Sequence, residues 1–501
     1  MANLKDVHGY VDSHADDFIQ RLSEAVAIPS VSTDPSRRGD VHRMALWLEN
    51  QLKRYGVQTR AVPLGQQEVE GKILEYPPAI LGRIGDDSKK KTILIYGHFD
   101  VQPAEKSDGW DTEPFELHVD RESGKMFGRG STDDKGPVLG WLNVLEAHHA
   151  LRIELPVNLR FCFEGLEEDG SQGLDDLIVT ETSKGPQGWF HGVDCVCISD
   201  NYWLNTRTPC LTYGLRGIAY YQIIVSGPGS DLHSGMGGAV YEPMTTLISL
   251  MGKLVSVEGR ILIPGVYDGI SVADSSELQK YQDLDYSVAD LEKVAGGPIS
   301  LSDDKATVLM GRTREPSLSL HGIEGAYSGA GGKTVIPATV SGKFSLRLVP
   351  PQTPDDITKK VVSFIEDEFA KLKTKLKMKV EFVGGGKPWV ADTNHWSYEA
   401  AKRATETVWG KTPNYTREGG SIPVTLTFAD NLGVNVLLLP MGRADDGAHS
   451  TNEKLDISNF LNGVCSSLLS NLSSFTQNDR APQTKLLGTY LYEVANINSD
   501  K

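Results

Sequence analysis

Cysteine is sparse in this 501-residue chain: Cys162, Cys195, Cys197, Cys210 and Cys465, with no C-x-x-C spacing. An odd number, placed mostly in apolar runs, excludes a disulfide framework and a thiolate zinc site, and predicts reduced core residues. Long hydrophobic runs are missing too. No window approaches 18 uninterrupted apolar residues, and Met1 to Asp17 holds no apolar signal core, so neither a membrane span nor secretion is expected. Positive charge is in deficit, 50 Lys and Arg against 66 Asp and Glu for a net −16, which argues against nucleic acid or an anionic membrane as partner. The Gly128-x-Gly130 segment lacks the third glycine and the following acid of a dinucleotide fingerprint. There is no internal repeat and no low-complexity tract. A cytoplasmic globular protein is the expectation that survives. At 501 residues the chain exceeds what one hydrophobic core accommodates, so two domains are expected.

What the chain does have is a set of acidic and histidine blocks: His98-Phe99-Asp100, Asp133-Asp134-Lys135-Gly136, Glu167-Glu168, Asp200-Asn201 and Ala448-His449-Ser450. The first four follow apolar runs that read as buried strands (Thr92 to Tyr96, Val157 to Phe163, Val193 to Ile198) or occupy a glycine-flanked turn. Strand ends of one sheet would gather these groups at one edge. Desolvated carboxylates repel one another unless a cation neutralises them, so a metal site explains the pattern. Two imidazoles with three or four carboxylates suit zinc or manganese. Calcium would take more oxygens. Two ions fit if one carboxylate bridges them.

The opening third alternates helical spacing (Asp12 to Ile28, Asp40 to Tyr55, Pro137 to Leu151) with buried strands. This predicts an α/β catalytic domain with a mainly parallel sheet flanked by helices, its ligands at the carboxyl ends of the strands. From Thr212 the texture changes. Alternating strands at Thr212 to Ser226 and Lys333 to Val349, a helix at Pro354 to Lys375 and a strand at Lys377 to Val383 predict an α+β domain with an antiparallel sheet. Gly384-Gly385-Gly386 reads as a hinge, followed by a helix at Ser397 to Thr407, a strand at Val434 to Leu439 and a helix from Asp456 to Phe475. If His449 joins the earlier blocks, residues 1–211 and 388–501 form the catalytic domain and 212–387 an inserted lid. A partly disordered tail is expected from Thr476.

These blocks in this order resemble the M20 family of metallopeptidases, over nearly the whole chain. Gly97-His98-Phe99-Asp100-Val101-Gln102-Pro103, Gly128 to Pro137 and Ile198-Ser199-Asp200-Asn201-Tyr202-Trp203 look most like its carnosinase-like nonspecific dipeptidases. The resemblance implies His98 and Asp200 as ligands of one metal, Glu168 and His449 of a second, and Asp133 as the bridge. It implies Glu167 as general base, Asp100 as the carboxylate orienting His98, and a cis peptide between Asp133 and Asp134. It further implies a homodimer formed through the lid, with His233 stabilising the oxyanion in the other subunit, and Thr334, Arg347 and Ser421 holding the substrate. The implied reaction is hydrolysis of dipeptides, Cys-Gly among them, in peptide or glutathione turnover.

Each residue also has a plainer reading. Glu167-Glu168-Asp169 has the look of a solvated charge run, but it follows a buried strand. His449 stands behind Asp445-Asp446-Gly447, which reads as a surface turn, and only the family pattern lifts it. Arg347 has a ready alternative as a salt-bridge partner within the lid. His148-His149 end a helix and read as partners of its dipole. Two other functions compete: an N-acyl amino acid deacylase or carboxypeptidase on the same fold, and a catalytically silent dimeric binding protein. The intact set of base, bridge and ligands argues against the silent protein.

Overall fold

The structure, a computed structural model, describes residues 2–69, 71–461 and 483–497. The chain forms two compact units, one of residues 1–213, 391–416 and 427–501, the other of 214–390 with 417–426.

The first unit is built on a mixed sheet in the order Gln58–Val62, Ala79–Ile84, Asn158–Glu164, Thr92–His98, Cys195–Ile198, Asn435–Leu438, Cys210–Leu215. Its four central strands, from Asn158–Glu164 to Asn435–Leu438, run parallel, and the pairings outside them are antiparallel. Every residue of Thr92–His98 and of Asn158–Glu164 is buried. That is why these segments read as near-continuous apolar runs instead of alternating. Helices cover the sheet by their apolar stripes. Arg38–Arg54 buries Val41, Met44, Ala45, Leu48 and Leu52 at three- and four-residue spacing, the signature of one helical face. Lys135–Leu151 is buried nearly all round.

The second unit carries a four-stranded antiparallel sheet, ordered Ser317–Glu324, Thr339–Leu348, Gly217–Ser226, Lys377–Gly386. Gly217–Ser226 alternates strictly between buried and partly buried residues, so one face takes the core. Ala219, Tyr221, Ile223 and Val225 meet Leu247, Leu250 and Met251 of the helix Pro243–Met251 and Ile357, Val361 and Ile365 of Pro354–Lys371.

The α/β class with a separate antiparallel sheet is as expected; several local readings are not. Gly384-Gly385-Gly386 is no hinge. It ends the strand Lys377–Gly386 and pairs with Tyr220, Ala219 and Ile218, because a Cβ at Gly385 would lie 2.4 Å from the Ile218 carbonyl oxygen. The expected tail is not disordered over 483–497. Gln483–Ile497 is a helix with Leu486, Leu487, Tyr490, Leu491 and Val494 buried, an amphipathic stripe hidden by flanking polar residues. Of the helix expected from Asp456, Ile457–Phe460 is helical, and the remainder to Phe475, with Cys465, lies outside the described residues. The other four cysteines are buried and in no disulfide. No helix among the described residues is long and apolar enough to cross a membrane.

Candidate metal centre

The parallel strands of the first unit end together, and the acidic blocks follow from that. His98 is the last residue of Thr92–His98, Glu167 and Glu168 follow Asn158–Glu164, and Asp200 follows Cys195–Ile198. Asp133 and Asp134 directly precede the helix Lys135–Leu151, and the peptide between them is cis. Gly97 makes room for this turn: a Cβ there would stand 2.7 Å from Asp134 Oδ2, the atom that accepts the His98 backbone N–H at 3.1 Å. His449 lies beyond the strand Asn435–Leu438 and has φ of 60°, a left-handed conformation uncommon outside glycine and found at functional sites.

Two sets of ligand-type atoms result, His98 with Asp133 and Asp200, and Asp133 with Glu168 and His449. Asp133 belongs to both. Its Oδ1 lies 3.1 Å from His98 Nε2 and its Oδ2 3.1 Å from His449 Nε2. Asp200 Oδ2 is 3.5 Å from His98 Nε2, and Glu168 Oε2 is 3.0 Å from His449 Nε2. His98 is fully buried, whereas the His449 side chain is 57% exposed. The sets therefore differ in access to solvent.

Electrostatics show what the cluster needs. Burial pushes the Glu168 and Asp200 carboxyls up, and repulsion from Asp133 adds to both. Burial pushes Glu167 well up, with Asp200, Glu168 and Asp100 adding to it against the pull of His98. Asp133 is held down despite burial, by hydrogen bonds from His449 and His98. His449 is pushed up to about 11 by its bonds to Asp133 and Glu168. Burial opposes charge on His98, yet bonds to Asp100, Asp133 and Asp200 keep it well above its ordinary value. Asp133 meets both His98 and His449, Asp200 meets His98 and Glu168 meets His449, so an imidazole stands against each of the three carboxylates. A site that forces protons onto histidines of this donor type fits divalent cations, which would replace those protons.

Surrounding groups fix the ligands. The two oxygens of Asp100 accept the backbone N–H groups of Glu167 (3.2 Å) and Glu168 (3.1 Å), and its carboxylate stands 3.4 Å from His98 Nδ1. Asp100 faces the imidazole and also sets the acidic turn, and only the second of these was not anticipated from sequence. Gln102 Nε2 donates to Glu168 Oε2 at 2.8 Å. Glu453 and Asp446, also missed, are buried. Asp446 is no surface turn residue: it accepts from Thr132 Oγ1 at 2.9 Å and from Lys454 Nζ at 2.6 Å. The signal for it was the lysine at Lys454, spaced to meet three acids once the loop folds back. His148 is likewise no dipole partner. Burial lowers its pKa, and Nδ1 hydrogen-bonds the Val144 carbonyl oxygen at 2.9 Å.

His233, Thr334, Arg347 and Ser421 belong to the second unit. His233 is exposed on a two-stranded ribbon, opposite Val335, and the Ser234 N–H donates to the Thr334 carbonyl oxygen at 3.1 Å. Arg347, on the strand Thr339–Leu348, donates from Nη1 to Ser421 Oγ at 3.1 Å. Ser421 in turn donates to the Arg216 carbonyl oxygen, while Arg216 Nε donates to the Gly419 carbonyl oxygen at 3.0 Å. Arg216, not anticipated from sequence, thereby anchors the Gly419-Gly420-Ser421 turn.

Parallel strands that deliver paired histidine–carboxylate sets at their ends form a candidate divalent-metal site. Residues 94–467 match the family described as Peptidase family M20/M25/M40, and the chain belongs to that family of divalent-metal enzymes as a hydrolase acting on peptide bonds. It is 56% identical over 450 residues to the Cys-Gly metallodipeptidase of Candida albicans, covering 89% of this chain and 92% of the relative. It is 42% identical over 468 residues to the human Beta-Ala-His dipeptidase, covering 92% and 91%. The solved structure of the dipeptidase Dug1p from Saccharomyces cerevisiae superposes with a TM-score of 0.90 at 47% identity, covering 99% of each chain. That of human carnosine dipeptidase 1 gives 0.88 at 40%, covering 98% and 99%.

Proposed function

We propose that the protein is a dipeptidase that uses two divalent cations, one held by His98, Asp133 and Asp200 and one by Asp133, Glu168 and His449. The observation that carries this is the Asp133 carboxylate, which turns one oxygen to each imidazole, as a bridging ligand must. Zinc and manganese both suit the donor set. Such cations, when bound, supply Lewis acidity to the attacking water and to the peptide carbonyl.

The chain's own groups do the rest. Glu167 takes a proton from the attacking water and passes it to the leaving amine. Its neighbour Glu168 is committed to the metal side, and Asp100 pins the Glu167–Asp169 turn through the backbone N–H groups of Glu167 and Glu168. His233 donates to the oxyanion of a second subunit in a homodimer. Arg347, with Ser421 and Thr334, receives the carboxylate of the dipeptide, since a guanidinium pairs with it in a fork. The likeness to Cys-Gly and Beta-Ala-His dipeptidases supports dipeptides as the substrate class, and Cys-Gly supports a place in cytoplasmic glutathione turnover.

The test is amino-acid release from Cys-Gly, β-Ala-His, an N-acetyl amino acid and a tripeptide, using metal-stripped protein resupplied with zinc or manganese. Metal-dependent cleavage confined to dipeptides is expected. Cleavage of the acyl compound alone would make the protein a deacylase.

A further inference from the structure

The loop bearing His449 and the turn bearing Asp133 are far apart in sequence yet are built as one body. The strand Lys454–Asp456 pairs antiparallel with Lys125–Phe127, and the Gly128 N–H donates to the Glu453 carbonyl oxygen at 2.9 Å. This register places the Glu453 side chain, fully buried, beneath the turn that follows Phe127. Its Oε2 accepts from Arg129 Nη1 at 2.7 Å and from the Gly130 N–H at 3.1 Å. Its Oε1 accepts from the N–H groups of Thr132 at 3.0 Å and Asp133 at 3.2 Å. Four donors thus converge on one carboxylate. Asp446 makes a second tie through Thr132 Oγ1 and the Arg443 N–H, both at 2.9 Å, and the Lys454 N–H donates to the Asp446 carbonyl oxygen at 2.8 Å, closing the loop that carries His449.

From this we infer that Glu453 is a positioning residue for the metal centre. It touches neither a cation nor substrate in the reading above, on which this inference rests. It sets the backbone of the bridging Asp133 and, four residues from His449, fixes where the second imidazole stands relative to that bridge. Ligand atoms must be held within a few tenths of an ångström to retain affinity, and groups that orient metal ligands commonly carry about 10–100-fold in metal affinity or activity. An amide at this position has the same shape, but it offers one acceptor oxygen where two are used, and its NH2 would face the N–H donors.

The experiment compares wild type, Glu453→Gln, Asp446→Asn and His449→Ala. Metal-free protein is titrated calorimetrically with zinc against a competing chelator, and kcat and KM are measured at limiting and saturating metal. Glu453→Gln is expected to weaken zinc binding about 10–100-fold, with kcat depressed at limiting zinc, largely recovered at saturating zinc, and KM unchanged. Asp446→Asn should shift the same quantities in the same direction by less, and decides the matter if Glu453→Gln does not fold. Zinc affinity equal to wild type, or a raised KM with kcat intact, overturns the inference. His449→Ala separates this from the ligand assignment: it should remove one binding step, and retention of both steps would sink the two-cation reading itself.

Discussion

The candidate metal centre of the first unit and the candidate substrate residues of the second are made in opposite ways. His98, Asp133 and Asp200 sit at the ends of buried strands or in a buried turn, with the side chains of the two acids only 10% exposed, and surrounding hydrogen bonds leave each little freedom. His233 and Thr334 stand exposed on a short ribbon, and Arg347 spends its recorded side-chain bond on Ser421. Burial holds His98, Asp133 and Asp200 in place before anything binds, while His449 stays half open to solvent. The proposed reading gives the second set to the substrate, and under it the energetic worth of these donors shows only when substrate is present.

The sharpest way to break this comparison is Glu167→Gln. It removes the proposed base from the assembled centre, so kcat should fall by about 10²–10⁴-fold while zinc content, measured by elemental analysis, stays that of wild type. A centre that loses its metal instead would show that Glu167 is a ligand. Next in size is metal removal. Chelation should abolish turnover and lower the melting temperature, because an ion bound only by the native state stabilises it by about 2.7 kcal/mol at a hundred times its Kd. Zinc affinity should also climb as pH rises from 6 to 9. With His449 pushed up to about 11, the metal-free site is protonated throughout that range and each ion must displace a proton.

On the substrate side, Arg347→Ala should raise KM more than it lowers kcat. A charged hydrogen bond contributes about 1.5–3 kcal/mol, or roughly 10–150-fold in binding, and Lys at this position should restore only part of it because the fork is lost. Equal loss in kcat alone, in steady-state kinetics on dipeptides, would move Arg347 to the transition state. The smallest effect lies away from both regions. His8, hydrogen-bonded to Thr489 at 3.0 Å, is lowered to about 4 by burial and then by Lys485. Between pH 6.5 and 4 the unfolded chain takes up a proton that the native state refuses, so stability falls as pH drops through that window and levels off below it. His8→Gln should flatten that limb in denaturant melts.

Much of the candidate centre was legible because His98, Glu167, Glu168 and Asp200 follow apolar runs closely, so strand ends could be read from hydrophobicity, and Asp133 lies in a glycine-flanked turn. His449 was not. It stands ten or more residues past its strand, in a loop whose path is set by the pairing of Lys454–Asp456 with Lys125–Phe127, a long-range register that no local pattern encodes. The same holds for Glu453 and Asp446, acids that look solvated until the loop buries them. Three glycines in a row suggested a hinge because conformational freedom is what glycine offers in isolation. At Gly385 the absence of a side chain serves close approach of a neighbouring strand. The helix Gln483–Ile497 was misjudged because its polar residues mask a stripe that only packing reveals.

The strand order has a consequence for biosynthesis. Asn435–Leu438 lies between Cys195–Ile198 and Cys210–Leu215, so the sheet of the first unit has a gap in its middle until that late strand emerges. At 5–20 residues per second, the 240 residues between Ile198 and Leu438 take roughly 12–48 s to synthesise. During that interval His98, Asp133, Glu168 and Asp200 are already made while His449 and Glu453 are not. The four strands of the second unit's sheet, all within 217–386, are complete first. The nascent chain therefore passes through a stage in which one sheet has all its strands and the other lacks the strand that fills the edges of Cys195–Ile198 and Cys210–Leu215.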